Sequence, residues 1–289
     1  MTTDAGTTWR ELLAETQATL GNKQDARFLC EHAAGLDAAE FTSALGEVVS
    51  QRMGGYVQEM VRRRLAGEPL QYVMGRWAFR HLDLLVDARV LIPRPETELV
   101  AQVALEAARA VQPSRVVVDM GTGSGAIGLS LAHELPVAGT TVWLTDVSPD
   151  ALDVARANLA GIGRNGANVR IAAGDWFAAL PADLAGTVDV LVANPPYVAE
   201  GDDDVEDVVA RHEPHLALFS GNDGLDAIRA IAAGVCNWLR PGGVLVLEIG
   251  HQQGAAVRYV LVAHGLRDVQ IRCDLTGRDR IAVAHAQLC

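Results

Sequence analysis

Apolar positions spaced three and four apart dominate the first 75 residues. Thr7 and Thr8 stand ahead of Trp9, Leu12, Leu13 and Leu20, a pattern that predicts a capped helix. A second helix is expected through Ala26, Phe28, Leu29 and Ala33, stopping near Gly35. A third covers Phe41 to Val49, and a fourth uses Tyr56, Val57, Met60, Val61 and Leu65 before Gly67 and Pro69. Four short helices suggest a small bundle. At residues 77–92 the period changes to two, as in a strand pair or hairpin. A helix then starts after Pro95, with Thr97 or the flanking acids serving its first turn.

From Ser114 the rhythm is strand, loop, helix, repeated. Strands are predicted at 115–119, 141–146, 168–172, 188–193 and 244–249, with helices near 126–134, 149–160, 224–238 and 252–263. The runs VVVDM, VDVLVAN and GVLVLEIG are nearly continuous in apolar residues, as expected of strands covered on both faces. The final stretch, VQIRCDLTGRDRIAVAHA, looks like two closing strands. The expected fold is therefore α/β: a Rossmann-like, doubly wound, mostly parallel sheet of seven strands, with a small helical N-terminal domain and a connecting β-hairpin. The expected boundaries are 1–75 for the helical domain, 76–95 for the hairpin linker and 96–289 for the sheet domain. No internal repeat or low-complexity linker interrupts this plan.

Composition narrows the picture. A length of 289 residues suits about two domains, and 49% hydrophobic residues are ample for a core. No apolar run is long enough for a membrane span, and MTTDAGTTWRELL lacks the basic and apolar segments of a secretory signal, so a cytoplasmic protein is expected. Cys30, Cys236, Cys273 and Cys289 lie far apart without a CxxC pair, which suggests free thiols and neither a disulfide framework nor a zinc site. A formal net charge of −12 disfavours a broad nucleic-acid footprint and better suits a basic partner or a small cationic ligand.

The strongest local chemistry lies where a strand runs through Asp119 and Met120 into Gly121-Thr122-Gly123-Ser124-Gly125 and then a helix. Glycines permit left-handed backbone and close approach to a ligand, while the helix start offers free N–H groups. Two ligand classes use this arrangement. Gly123 to Gly128 satisfies a dinucleotide fingerprint, whereas the register from Gly121, with Asp119 just before it, looks more like an adenosylmethionine loop. Both place an acid at the end of the next strand for ribose hydroxyls, and Asp146 stands 21 residues past Gly125. Asp175 and Trp176 follow the third strand, where an acceptor and an apolar wall can flank an adenine.

Asn194-Pro195-Pro196-Tyr197 directly follows the strand ending at Ala193, at the carboxyl end where open α/β sheets bind ligands. Neither proline has an N–H, so the loop shows carbonyl acceptors with few competing donors, and the Asn194 side chain adds another. Such a pocket suits a planar NH2 group, with Tyr197 able to stack on the flat group that carries it. Accepted hydrogen bonds would orient that poorly nucleophilic nitrogen. Methyl transfer from a sulfonium spreads charge, so positioning in a water-poor site can carry most of the catalysis. No residue is an obvious proton acceptor. The plain alternative is a rigid turn.

On these motifs the chain resembles the HemK/PrmC family of peptide-chain release factor glutamine methyltransferases. The likeness is carried by PLQYVMG at 69–75, IPRPETE within 91–98, DMGTGSGAI at 119–127, NPPY at 194–197, EIGH at 248–251 and DLTGRDR at 274–280, and so spans nearly the whole chain. The resemblance implies methylation of the glutamine side-chain amide (N5) in the Gly-Gly-Gln motif of release factors, modulating translation termination. It implies S-adenosylmethionine as methyl donor, S-adenosylhomocysteine as product, and an N-terminal domain that helps grip the release factor. By position, Gly121, Thr122, Gly123, Ser124, Gly125, Asp146, Trp176 and Asn194 would touch the cofactor, with Asp119 and Asp175 beside them. Asn194, Pro195, Pro196 and Tyr197 would hold the glutamine amide, with Asn194, Pro195 and Tyr197 at the reacting nitrogen.

Further residues have two readings each. Arg62-Arg63-Arg64 is a solvated helix face or a contact for a release factor or ribosomal RNA. Arg94 lines the mouth of the active site and meets a substrate carboxylate, or forms a structural ion pair. Glu213 and Pro214 shape the substrate pocket. The acidic stretch 200–207 reads as a mobile flap rather than a calcium loop, and His212 and His215 lack further ligands for a metal site. Glu248 and His251 give polar support at the end of the fifth strand. The main rival function is adenine-N6 methylation of DNA or RNA, which shares NPPY but calls for a basic groove and usually an inserted recognition domain. An NAD-dependent oxidoreductase would leave NPPY without a task, and a non-enzymatic binding module would leave all the motifs without one.

Overall fold

A computed structural model describes residues 6–202 and 207–287. Contacts divide the chain into two compact units, Met1–Gly75 and Arg76–Cys289.

The first unit contains α1 (Trp9–Leu20), α2 (Lys23–Ala34), α3 (Ala38–Ala44), α4 (Gln51–Leu65) and α5 (Leu70–Met74). Side chains cap the first four. Thr8 and Asp37 form reciprocal capping boxes with Glu11 and Glu40, Asn22 accepts from two backbone N–H groups, and Ser50 accepts from Met53 N. Trp9, Leu29, Phe41, Val57 and Met60 form the core, with Trp9 edge-on to Phe41 at 5.5 Å between ring centres. The third helix lies earlier than the apolar spacing suggests. Asp37 starts it, and past Ala44 the chain straightens so that Val48 bridges to Thr8. The arginine triplet is also not one face. Arg62 is exposed and pairs with Glu59, whereas Arg63 binds Glu68 and the Tyr72 and Val73 carbonyls, and Arg64 binds Asp25 at 2.8 Å.

In the second unit, β1 (Arg76–Phe79) and β2 (Leu82–Leu85) form an antiparallel hairpin, shorter than 77–92. It is tied into the unit by Asn158, which exchanges hydrogen bonds with both backbone groups of Leu85, and by Arg80, which meets Glu134 at 2.6 Å and Glu98 through its N–H. Helix α6 (Pro95–Arg109) starts on Pro95, whose fixed φ suits a first turn, with Glu96 and Glu98 near the positive end of the helix. Thr97 does not cap it; that hydroxyl is used elsewhere.

The sheet comprises β3 (Arg115–Met120), β4 (Thr140–Asp146), β5 (Val169–Ala173), β6 (Val188–Ala193), β7 (Leu239–Glu248), β8 (Arg267–Cys273) and β9 (Asp279–His285). Their spatial order is β5-β4-β3-β6-β7-β9-β8. Neighbours are parallel from β5 to β7, and β9 runs antiparallel to both β7 and β8. The connecting helices are α7 (Ala126–Glu134), α8 (Pro149–Gly161), α9 (Asp207–His212), α10 (His215–Leu218), α11 (Asp226–Val235) and α12 (Gly254–Ala263). Every residue of β6 is buried, as its unbroken apolar run requires. Strand order reverses between β3 and β6, which opens a crevice at their carboxyl ends.

Candidate active site

The crevice is built first by the turn from β3 into α7. Gly121, Gly123 and Gly125 have φ of 71°, 55° and 87°, left-handed values that strain any side chain. Asp119, 1% exposed, ties the turn together: Oδ2 accepts from Thr122 Oγ1 at 2.5 Å and from Gly128 N at 2.8 Å. Its Oδ1 is buried without a hydrogen-bond partner. Burial raises the Asp119 carboxyl to about 6; its two hydrogen bonds oppose that rise, and the nearby Asp146 charge adds to it.

Asp146 ends β4. One carboxylate oxygen accepts from Gly123 N and the other from Ser148 N, both at 2.9 Å, so this acid fastens the glycine turn to the neighbouring strand. Burial also raises its pKa, against those backbone N–H bonds. After β5, Gly174 N donates to the Asp146 carbonyl at 3.0 Å, which brings Asp175 and Trp176 to the same place. Trp176 takes a left-handed φ of 43°.

These groups surround a cavity of about 480 Å3, within the range of small-molecule sites. Asp119, Gly121, Thr122, Gly123, Ser124, Asp146, Asp175, Trp176, Asn194 and Pro196 are all at its wall, mixed with Leu91, Pro93 and Thr97. Gly125 is not; it shapes the turn, and a Cβ there would lie 2.7 Å from Leu129 Cδ1. A smaller cavity of about 160 Å3 is lined by Arg94, Tyr197, Val198 and Leu218 among others. Asn194, Leu91 and Ala217 line both.

The Asn-Pro-Pro-Tyr loop is held from below. Asn194 Nδ2 donates to Thr97 Oγ1 at 3.3 Å, and Thr97 Oγ1 donates to Glu248 Oε2 at 2.7 Å. The Tyr197 hydroxyl donates to Glu248 Oε1 at 3.2 Å and accepts from Arg280 Nη1 at 3.4 Å. Gln253 Nε2 donates to the Tyr197 carbonyl at 2.9 Å. Burial raises the pKa of Glu248, and burial with the adjacent Glu248 charge raises that of Tyr197. Pro195 is buried and lines neither cavity, unlike Asn194, Pro196 and Tyr197.

Glu213 differs from the expected substrate contact. It is 5% exposed, its Oε1 is paired with Arg94, and its Oε2 accepts from Ile92 N at 3.0 Å. It lines neither cavity and instead anchors segment 91–94, so Arg94 has a structural ion pair even though it borders the smaller cavity. Pro214 does border the larger cavity. His215 stacks on Phe219 with ring centres 4.4 Å apart, and no group of His, Cys, Asp and Glu among the described residues could hold a metal. In the acidic stretch 200–207, residues 203–206 lie outside the described residues. Thr97, Gln253 and Arg280 carry no local signal of their place under the loop.

Residues 97–216 match the family model described as methyltransferase small domain, and residues 7–75 match that of the PrmC N-terminal domain. The chain is 42% identical over 259 residues to the release factor glutamine methyltransferase of Burkholderia pseudomallei, covering 89% of each protein. It is 38% identical over 282 residues to that of Deinococcus radiodurans, covering 96% of this chain and 98% of the relative. A solved methyltransferase from Pyrococcus furiosus shares the fold at a TM-score of 0.52 and 18% identity, covering 78% of this chain and 98% of that one.

Proposed function

The chain belongs to the release factor glutamine methyltransferase family, and from that premise we propose that it methylates the side-chain amide nitrogen (N5) of the glutamine in the Gly-Gly-Gln motif of peptide chain release factors. The methyl donor is S-adenosylmethionine, the product S-adenosylhomocysteine, and the consequence a tuned rate of translation termination. The observation that carries this reading is that Asn194 lines both cavities, so one carboxamide faces a nucleoside-sized chamber and a narrower one beside it.

The larger chamber fits the donor. Its walls combine the close backbone of the glycine turn, the Trp176 ring and two carboxylates, Asp119 and Asp146. The unpartnered Oδ1 of Asp119 gives a cationic ligand a charge to meet. Asp146 would take ribose hydroxyls, and Asp175 with Trp176 would flank the adenine. When bound, the donor supplies an electrophilic methyl on a sulfonium that leaves as a neutral thioether. The protein's task is then to hold the accepting nitrogen. The Asn194 carboxamide oxygen and the carbonyls of a loop with two proline positions accept its N–H bonds, and the Tyr197 ring borders the flat amide. Poised acceptors in a cleft walled in part by Leu91, Pro93 and Pro196 suit a reaction in which geometry does most of the work.

The helical unit around residues 7–75 is assigned to gripping the release factor. No helix among the described residues is long and apolar enough to cross a membrane, and the site of action follows the substrate to the cytoplasm. Adenine-N6 methylation of nucleic acid is the other acceptor chemistry that the loop suits, but the net charge of −12 argues against a DNA partner. Incubation with labelled S-adenosylmethionine, a release factor and duplex DNA tests both. Label is expected on the release factor, and replacing its Gly-Gly-Gln glutamine should abolish it. Label on DNA, or label that survives that replacement, would overturn the assignment.

A further inference from the structure

We propose that Thr97 is a positioning residue that sets which way round the Asn194 carboxamide faces, turning its oxygen rather than its NH2 toward the methyl-accepting nitrogen. The inference rests on the glutamine methyltransferase reading and deepens it. It follows from the direction of each hydrogen bond in the buried chain beneath the loop.

The direction is set at Arg280. A guanidinium has no acceptor, so the Tyr197 hydroxyl accepts from it and gives its own hydrogen to Glu248 Oε1. Burial works against ionisation of Glu248, but the Thr97 and Tyr197 hydroxyls and the Arg280 charge favour its carboxylate; in that form it can only accept, so its Oε2 takes the hydrogen of Thr97 at 2.7 Å. Having given that hydrogen away, Thr97 has only a lone pair to offer Asn194, 3.3 Å distant. The NH2 end of Asn194 can answer it and the oxygen end cannot. Thr97 and Glu248 are 3% and 1% exposed, so bulk solvent has little access to scramble this order. The contacts join α6, the end of β6 and the end of β7, across 97 and 151 residues of sequence.

The consequence falls on the acceptor. An Asn194 oxygen facing the cavity accepts from an incoming amide NH2, whereas a flipped carboxamide would set one NH2 against another. Thr97 borders the larger cavity, but its hydroxyl is spent between Glu248 and Asn194, so it acts on the accepting amide through Asn194.

Thr97→Val removes the hydroxyl and keeps the branched shape. Turnover of release-factor methylation should fall by roughly tenfold or more, as for loss of a positioned group. The Kd for S-adenosylmethionine and the KM for the release factor should stay within about twofold. Thr97→Ser, which restores the hydroxyl, should recover most of the turnover. In an Asn194→Ala background, Thr97→Val should have no further effect, because the residue it acts through is gone. Should thermal melting show that Thr97→Val is unfolded, Glu248→Gln takes its place in the same cycle, since a carboxamide there inserts an N–H donor into the chain. Multiplicative losses in the double variant, or near-wild-type turnover in the single one, would overturn the proposal. A wild-type protein that leaves the glutamine unlabelled would sink the underlying function as well; one that labels it while Thr97→Val is silent sinks this inference alone.

Discussion

Replacing Asp119 with Asn removes a titrating group from a place where burial matters most. Its carboxyl sits at about 6 against an ordinary value of 3.8, because desolvation outweighs the hydrogen bonds from Thr122 and Gly128. A raised pKa means that the folded protein holds the proton more tightly than the unfolded chain does. Between pH 3.8 and about 6 the folded state therefore binds more protons, and stability falls as pH rises through that window. A shift of about two units at 1.36 kcal/mol each amounts to about 3 kcal/mol. Asn has no proton to lose, so the variant lacks this loss. Urea unfolding of both proteins at pH 4, 5, 6 and 7 provides the measurement. Because the unfolded carboxyl is already more than half ionised at pH 4, the stability difference between them should move by about 2 kcal/mol in favour of Asp119→Asn from the lowest pH to the highest. Asp146 and Glu248, also raised by burial, remain in both proteins and largely cancel in the difference. Stability curves that stay parallel within about 1 kcal/mol would refute desolvation as the dominant influence on this carboxylate.

Asn194→Ala should cut turnover by roughly a hundredfold while changing the Kd for S-adenosylmethionine by less than about threefold, as measured by single-turnover kinetics and calorimetry. Gly128→Ala places a Cβ 2.9 Å from Asp119 Oδ2 and from Leu144 Cδ1, and should lower unfolding stability by about 1–3 kcal/mol. Phe41→Ala empties a fully buried site against Trp9; a loss of about 3–5 kcal/mol, read from the helical unit's circular dichroism melt, is expected. Arg94→Ala leaves the buried Glu213 carboxylate without its charged partner, and chemical denaturation should report a loss of about 2–4 kcal/mol.

Much of the fold was legible because the chain alternates between two clear periods. Strand β6 and helix α7 have the predicted bounds, since the first is buried on both faces and the second is entered through a glycine turn. Strand β7 begins at Leu239, ahead of the predicted 244, because Pro241, Gly242 and Gly243 read as a break while the structure absorbs them beside a register shift opposite Val188 to Val190. Helix α5 leaves no trace in the apolar spacing, because five residues are too few for a helical period to show. In the site, the glycine turn, Asp146 and Asn194 announced themselves through local motifs. Thr97 looked like a helix cap and Glu213 like a pocket wall, since nothing in sequence reveals partners 151 and 121 residues away.

Strand β9 follows β8 in sequence yet lies inside it, between β7 and the edge. Synthesis order and pairing order therefore differ: β8 leaves the ribosome first but has nothing to pair with until β9 has docked along β7. That late strand also carries Arg280, the donor at the head of the polar chain under Tyr197. The glycine turn can thus be assembled while translation continues, but the floor of the acceptor loop cannot. A nascent chain cut short before residue 279 would contain every residue that lines the larger cavity, all between 89 and 217, and would lack the arginine beneath Tyr197.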